Sequence, residues 1–214
     1  MAELVDAPDS KSGSGNRVRV RFSLPAPLKV YLTIMNYCAD CGSKTLIKIP
    51  KGDNRERIIC SECEIIHYQN PKIVVGCIPE VEGKILLCKR AIEPRYGYWT
   101  IPAGFLELEE TMQEGAIRET KEEACADVKI GHLFASVDVV RVGQVHIFFT
   151  ASLVSSFAAG EESLEVKLFN KDEIPWDELA FESGIFALKK YYEDQGMNNG
   201  VHSLKIDRKR PKSD

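Results

Sequence analysis

The sequence predicts an α/β fold in which a mixed sheet lies between helices, preceded by a small module that four cysteines hold together. Three observations predict it. Apolar residues alternate as strands on both sides of residues 104–126, that stretch itself has a helical period, and two CxxC pairs precede the first long strand. The chain has 214 residues, of which 44% are hydrophobic and 28% charged, so it can form one good core and a small appendage.

The first 34 residues have no apolar period and are rich in Ser, Gly and Pro, so we expect them to be disordered. Back-translation offers an explanation, because Pro8 to Gly13 can be encoded as a stem and loop like an anticodon arm, and Ala26-Pro27 as a tRNA 3′ end. Residues 1–27 therefore look like a translated leucine-tRNA gene; a disordered or targeting extension is the alternative. On the first interpretation residues 1–34 are a spurious extension and Met35 is the start.

Residues 35–70 are predicted to be a zinc ribbon. Two CxxC pairs, Cys38-Cys41 and Cys60-Cys63, have the separation at which four thiolates close a tetrahedral Zn²⁺ site. The residues between them alternate as two short strands, Thr45 to Ile49 and Arg57 to Ile59, joined by a turn. Because all four positions would be filled by cysteine, we expect the zinc to be structural. Four free structural cysteines are the alternative.

Residues 71–194 are predicted to form the main domain. Its elements in chain order are a buried hairpin, Lys72 to Glu80 and Lys84 to Arg90, a helix beginning near Thr111, two strands, Val128 to Val140 and Gln144 to Val154, a strand Ser163 to Phe169, and a closing helix whose apolar stripe runs from Phe181 to Tyr192. Beyond it, residues 195–214 are punctuated by Gly and Asn and then basic, so we expect a flexible tail.

The helix near Thr111 carries three carboxylates on one face. Glu119, Glu122 and Glu123 fall at i, i+3 and i+4, a spacing at which like charges repel and weaken an isolated helix. A bound divalent cation would offset that repulsion, and Mg²⁺ prefers such oxygen ligands together with substrate phosphates. A solvated acidic helix face is the alternative.

The spacing of Gly104, Glu110 and Arg118 to Glu123 resembles the signature of the Nudix hydrolases, GX5EX7REUXEEXGU, with every charged position filled. Three uncharged positions depart from it. Cys125 stands where the family has Gly, Ala126 where it has a larger aliphatic residue, and Thr120 where it has an aliphatic one. Because the family Gly suits a left-handed helix exit, Cys125 puts that exit in doubt.

The resemblance implies an α/β/α sandwich, Mg²⁺ or Mn²⁺ dependence, and a role for each matched residue. Glu119 and Glu123 would be direct metal ligands, Glu122 a further or water-mediated ligand, and a carbonyl of Gly104 or Ala103 another. Arg118 would orient Glu119 and pair with Glu110. The catalytic base could be Glu119, Glu122 or Glu165, of which Glu165 resembles a family Glu. Tyr98 and Trp99 precede the signature loop and could stack on a substrate ring, although core packing is the alternative.

The segment HYQNPKIVVGCIPE and the ribbon most resemble a group of zinc-ribbon Nudix hydrolases that includes a plant chloroplast enzyme acting on FAD and ADP-ribose, with bacterial relatives. This implies Mg²⁺-dependent cleavage of a nucleoside diphosphate derivative, with FAD giving FMN and AMP as the leading case. NADH pyrophosphatases carry a downstream SQPWPFPxS segment that is absent here, yet that activity is one alternative. A non-catalytic nucleotide sensor is the other.

The charge and the cysteine content limit the partners and the compartment that we expect. A net charge of −4 argues against a protein that coats nucleic acid. The sequence also has no run of eighteen apolar residues, the length that would indicate a membrane span. Seven cysteines, four of them in CxxC pairs, indicate a reducing compartment, which we take to be the cytoplasm. The expected partner is a small nucleotide substrate, and the resemblance also allows a homodimer.

Overall fold

A computed structural model describes residues 35–195 and 197–207. Our predictions for residues 1–34 lie outside the described residues. The elements of the described part, in chain order, are β1 (Thr45–Lys48), β2 (Arg57–Cys60), β3 (Ile66–His67), β4 (Lys72–Val81), β5 (Lys84–Arg90), β6 (Trp99–Thr100), β7 (Ala103–Phe105), α1 (Met112–Ala124), β8 (Val128–Val139), β9 (Gln144–Leu153), β10 (Ser163–Phe169), α2 (Glu182–Glu193) and β11 (His202–Ile206).

The N-terminal module is a three-stranded antiparallel sheet in the order β1-β2-β3. The two predicted strands are present and pair from Thr45 with Cys60 to Lys48 with Arg57. The turn between them is closed by the amide of Asp53, which donates to the carbonyl of Pro50 at 3.1 Å. The short strand β3 then returns along β2. Pairing of Thr45 with Cys60 brings the start of one strand beside the end of the other, and so brings the two CxxC turns together.

The main sheet has the order β10-β5-β4-β9-β8-β11, with β6 added to β5 and β7 added to β4. It is mixed, as predicted, because β4 runs parallel to β9, whereas β5 runs antiparallel to β4 and β8 runs antiparallel to β9. The β4-β5 turn has the left-handed pair Glu82 and Gly83, which suits the twist of a tight hairpin.

Strands β4 and β5 pair directly only beside their turn, where Glu80 faces Ile85 and Val81 faces Lys84. Farther along, β7 pairs with β4 and β6 pairs with β5. The hairpin therefore opens away from its turn, and residues 99–105 fill the gap. This arrangement delivers the loop after Gly104 to the end of the sheet.

A helix covers each face of the sheet. Alternate residues of β4 point in opposite directions, so that Val75 and Cys77 contact Ala116 of α1, whereas Ile78 belongs to the core under α2. Thr120 and Ala124 of α1 are fully buried, as predicted for its inward face, and the Cys77 thiol lies 3.1 Å from the Thr120 hydroxyl. The predicted α/β/α sandwich is confirmed.

The predicted flexible tail is wrong for residues 202–206, which form strand β11. It runs parallel to β8, pairing from His202 with Ala135 to Ile206 with Val139. The imidazole of His202 contacts the Asp194 carboxylate at 2.6 Å and so fixes the strand to the end of α2, while Ile206 is buried. Residues 208–214 lie outside the described residues. No helix in the described part is long and apolar enough to cross a membrane.

Candidate active site

Helix α1 begins and ends with well-defined caps. Thr111 is its N-cap and exchanges hydrogen bonds with Glu114, whose amide donates to the Thr111 hydroxyl at 3.2 Å. At the other end Cys125 has φ 48° and ψ 29°, so the left-handed exit persists without the glycine typical of this position. The doubt raised by Cys125 is answered, because the residue adopts the left-handed conformation.

Arg118 connects the carboxylates of the signature. Its guanidinium donates to both oxygens of Glu110, at 3.0 and 2.8 Å, and through Nη1 to Glu119 at 2.7 Å and Glu122 at 3.0 Å. Nη2 also donates to the carbonyl of Phe105 at 3.0 Å. This bidentate pair holds the pKa of Glu110 at about 2, because its carboxylate accepts from Arg118 and from the amide of Glu107. Loop and helix are therefore fixed to each other through one cation.

Glu119 and Glu123 lie deeper than Glu122. The exposed fraction is 12% for the Glu119 side chain and 59% for the Glu122 side chain, and Glu123 is buried. A Cβ at Gly104 would lie 2.3 Å from the Glu119 carboxylate, so only glycine lets the loop backbone approach this closely. The Gly104 backbone and the Glu119 carboxylate thus occupy one small volume, as a shared ligand set requires.

The electrostatics of this pair suit a cation. Burial, followed by the nearby charge of Glu119, raises the pKa of Glu123 to about 8, and burial also raises the pKa of Glu119. Within the described part of the chain, Oε2 of Glu123 is buried without a hydrogen-bond partner. A buried carboxylate oxygen with no donor is costly unless something positive binds it. Carboxylate and carbonyl oxygens are the ligands that Mg²⁺ and Mn²⁺ take, so the residues present fit such an ion.

The loop after β9 adds acidic residues that the sequence did not single out. The amides of Ala158 and Gly160 donate to the last carbonyls of α1, those of Ala124 and Glu123, at 2.9 and 3.0 Å. A Cβ on Gly160 would overlap the Glu122 carbonyl, which explains the glycine. The docked loop places Glu162 beside the cavity, where its charge raises the pKa of both Glu119 and Glu123.

Glu165 does not reach the site. It lies three residues beyond Glu162 on β10, is exposed, and is absent from the cavity wall. A register shift between Ser163 and Glu165 changes which side chains face the cavity. The structure therefore places Glu162, which the sequence did not single out, at the cavity and, contrary to the prediction, leaves Glu165 off its wall. We refer to Glu119, Glu122, Glu123 and Glu162 as the carboxylate cluster.

Tyr98 and Trp99 are not on the cavity wall. Trp99 is 6% exposed and packs edge to face on Phe169, with ring centroids 4.8 Å apart. Tyr98 is half-buried under the guanidinium of Arg95, 5.2 Å from the ring centroid. The predicted substrate contact of these two residues is therefore wrong in this structure, and the alternative of core packing applies to Trp99. Pairing of Trp99 with Lys89 turns its ring toward the core.

The carboxylate cluster lines a cavity of about 1290 Å³. The sequence analysis did not single out several other residues that line this cavity. Arg90, 9% exposed, is held by the carbonyl of Pro94 at 2.9 Å and lies 5.0 Å from the ring centroid of Phe181. Farther from the acidic residues the wall includes Gln144 and His146 of β9. A charged residue closing the apolar strand β5 was the only signal that could have indicated Arg90.

The four cysteines of the N-terminal module form a second ligand cluster. Their sulfur atoms all lie within 4.8 Å of one another, with separations of 3.4 Å between Cys41 and Cys60 and 3.7 Å between Cys38 and Cys63. Zinc–sulfur bonds of about 2.3 Å in a tetrahedron place the sulfurs about 3.8 Å apart, so the residues fit Zn²⁺. The four predicted ligands are brought together.

Comparison with protein families identifies both parts of the chain. The Nudix N-terminal family, a zinc ribbon, matches residues 36–69, and the NUDIX domain family matches residues 70–189. In overall structure the chain resembles a NUDIX hydrolase from Nitrosomonas europaea, with a TM-score of 0.77 and 48% identity, over 82% of this chain and 100% of that one.

Two relatives differ in the activity that their names state. An ADP-ribose pyrophosphatase of Methanocaldococcus jannaschii is 33% identical over 54% of this chain and 70% of its own length. An NAD-capped RNA hydrolase NudC of Vibrio atlanticus is 35% identical over 48% of this chain. The match spans only 36% of that NudC protein, so the two share one region rather than a whole architecture.

Proposed function

This chain belongs to the Nudix hydrolase family, and from that premise we propose that it hydrolyses the pyrophosphate bond of an ADP-linked substrate in a reaction that needs Mg²⁺ or Mn²⁺. FAD, which would give FMN and AMP, and ADP-ribose are the two candidate substrates, with FAD leading. One observation carries the proposal: Arg118 holds Glu119 and Glu122 of the carboxylate cluster, in which a buried oxygen of Glu123 has no partner within the described part of the chain.

In this proposal Glu119 and Glu123 would hold the cation directly, Glu122 would hold it directly or through water, and a carbonyl of Gly104 or Ala103 would complete the protein ligands. The bound ion would neutralise charge on the substrate phosphates, which is the main demand of phosphoryl chemistry. Arg118 fixes the carboxylates, so little reorganisation accompanies the reaction.

Water attacks one phosphorus, the bond from that phosphorus to the bridging oxygen breaks, and a cavity carboxylate accepts the proton lost by the water. Glu119, Glu122 and Glu162 all line the cavity and are the candidates for this base. Arg90 lies on the same wall, where its charge can attract the substrate phosphates.

Support for an ADP-linked substrate comes from the similarity to the ADP-ribose pyrophosphatase and from the resemblance to zinc-ribbon Nudix enzymes acting on FAD and ADP-ribose. Cleavage of NADH is the second candidate, favoured by the similarity to NudC proteins. Against it stands the absence of the SQPWPFPxS segment from this chain.

The test is a panel of FAD, ADP-ribose, NADH, dinucleoside polyphosphates and CoA, assayed with Mg²⁺ or Mn²⁺ and compared by kcat/KM. The proposal predicts that FAD or ADP-ribose has the highest value. If NADH is preferred, the substrate assignment is wrong but the reaction class stands. If a nucleotide binds and none is hydrolysed, the chain is a sensor and the proposal fails.

We further propose that the zinc is structural and that the protein is cytoplasmic. All seven cysteines of the sequence are free in the structure, as a reducing compartment would keep them. The homodimer stays a prediction, and gel filtration with light scattering would test it.

A further inference from the structure

Three residues joined by hydrogen bonds form a chain along the cavity wall, away from the carboxylate cluster. Ser183 of α2 and His146 of β9 are buried, and the Ser183 hydroxyl lies 2.8 Å from Nδ1 of His146. The other ring nitrogen, Nε2, lies 3.0 Å from Oε1 of Gln144. All three residues line the cavity. The mechanism above uses none of them.

In the orientation that the structure gives the Gln144 amide, these hydrogen bonds run in one direction. The amide oxygen faces His146 and can only accept, so Nε2 of His146 carries the proton and donates it. Nδ1 then accepts from the Ser183 hydroxyl. Burial lowers the pKa of His146 to about 4, so near neutral pH the ring is uncharged and has one donor and one acceptor. Each polar atom of the chain is therefore assigned a role.

The amide nitrogen of Gln144 is left at the end of this chain. Its oxygen is committed to His146, and within the described part of the molecule its NH₂ group donates no hydrogen bond. Gln144 is half-buried on the cavity wall, so the two N–H donors are available to a molecule in the cavity. Because Ser183 and His146 hold the amide, the donors are oriented before any ligand arrives, which lowers the entropic cost of binding.

Apolar side chains surround this donor. Val139, the cross-strand partner of Gln144, lines the cavity together with Val142 and Ile206. Ile206 comes from the unexpected strand β11, so the C-terminal segment contributes directly to the wall. Apolar walls with one oriented polar group are typical of sites that hold a flat ring and fix its orientation.

We infer that Gln144, oriented by His146 and Ser183, is a specificity-determining residue that donates hydrogen bonds to an acceptor edge of the heterocyclic ring of the nucleotide substrate. The inference deepens the proposed function and rests on it for the reaction, but not for ring binding. A site with a committed donor discriminates against rings that lack the matching acceptor.

The test uses substitutions that remove the donor and keep the volume and charge. Gln144→Met should weaken binding of AMP or FMN, measured by calorimetry on the full chain, by about tenfold, the loss expected for one hydrogen bond of about 1.4 kcal/mol. Ribose 5-phosphate, which has the sugar and phosphate but no heterocyclic base, should bind equally well to both proteins. Gln113→Met, on the exposed first turn of α1, is the matched control and should change neither affinity.

Steady-state kinetics on the preferred pyrophosphate substrate should show a tenfold higher KM and a kcat within twofold for Gln144→Met. Ser183→Ala, which removes the donor to Nδ1 but leaves Gln144 in place, should shift KM in the same direction by less. Where AMP affinity depends on Gln144, AMP analogues in which a ring nitrogen is replaced by C–H should include one that binds the wild-type protein about tenfold more weakly than AMP.

The outcomes separate the two proposals. Unchanged AMP and FMN affinity in Gln144→Met, an AMP affinity that depends on Gln144 but is lowered by no deaza replacement, or no binding of either probe to the wild type would overturn the ring assignment, even if hydrolysis is normal. Gln144-dependent ring binding in a protein that hydrolyses no member of the substrate panel would instead retain this inference and reject the proposed enzymatic activity.

Discussion

The described part of the molecule has a cluster of cysteine sulfurs and a cluster of carboxylates, and the two are constructed in opposite ways. The four sulfurs of the zinc ribbon fit the four positions of a tetrahedral zinc site. Such a site has no position for a substrate, so we call this cluster closed. The carboxylate cluster is oriented by Arg118, faces a cavity of about 1290 Å³ and keeps a buried oxygen without a partner among the described residues. A closed cluster suits a structural role, whereas an open one suits chemistry.

The two clusters also differ in how much hydrophobic core surrounds them. The ribbon exposes apolar residues such as Ile47 at 48% and Ile49 at 58%, so its small sheet has little core of its own. Helix α1 has fully buried residues on its inward face and a complete capping box. The ribbon should therefore depend on its metal for folding, while the main domain should fold whether or not its cation is bound.

The largest expected effect comes from removing one cysteine ligand of the zinc ribbon. The purified protein should contain about one zinc per chain, and Cys60→Ser should lose it and give much less folded protein, because structural zinc contributes on the order of 10 kcal/mol. Metal analysis and soluble yield measure this. Cys125→Ser, at an exposed thiol outside the cluster, is the control and should keep the zinc. Zinc-free protein with an unchanged melting temperature would contradict the structural role.

Removing a charge from the open cluster should abolish chemistry instead. Glu119→Gln and Glu123→Gln keep the size of the side chain, and kcat should fall by about 100-fold or more, equivalent to about 2.7 kcal/mol. The exposed Glu178→Gln is the matched control. Activity within threefold of wild type for both cluster variants would show that these carboxylates do not hold the catalytic ion.

Acid should destabilise the cavity wall through His146. Its pKa is about 4 when folded and buried, against about 6.5 when unfolded, so the unfolded state binds the proton more tightly. The stability is fully present above pH 6.5 and is lost as the pH falls toward 4, which amounts to about 2 kcal/mol between pH 7 and 5. Urea unfolding of wild type and His146→Gln at both pH values isolates this contribution. Equal losses in the two proteins would contradict it.

The smallest expected effect distinguishes two neighbouring acids. Glu162→Gln should lower kcat or kcat/KM by about tenfold, since its charge acts on Glu119 and Glu123 across the cavity. Glu165→Gln, three residues farther along and absent from the cavity wall, should change neither by more than twofold. The reverse pattern would favour the assignment made from sequence and reject the observed register.

Local patterns explain what the sequence could predict. The hairpin of β4 and β5, the helix that begins near Thr111 and the strand alternation are all set by residues close in the chain, and each appears as expected. The ion pairs of Arg118 with Glu110 and Glu119, which the family resemblance implied, also lie within one loop and helix. Such features need no knowledge of distant partners.

Long-range pairing explains what it could not. Strand β11 has only Leu204 and Ile206 as an alternating apolar signal, and its place depends on β8, more than sixty residues earlier. Glu162 reaches the site because Gly160 docks on the end of α1, a contact that no local period indicates. Trp99 likewise packs in the core against Phe169, which lies in a different strand.

The central claim is that the carboxylate cluster, and not the zinc ribbon, binds the catalytic cation. Mn²⁺ binding followed by electron paramagnetic resonance tests it most directly, with zinc content and melting temperature measured on the same samples. The account predicts that Glu123→Gln binds Mn²⁺ at least tenfold more weakly than wild type, yet keeps about one zinc per chain and a native melting temperature. Unchanged Mn²⁺ affinity in Glu123→Gln, or loss of its zinc, would contradict it.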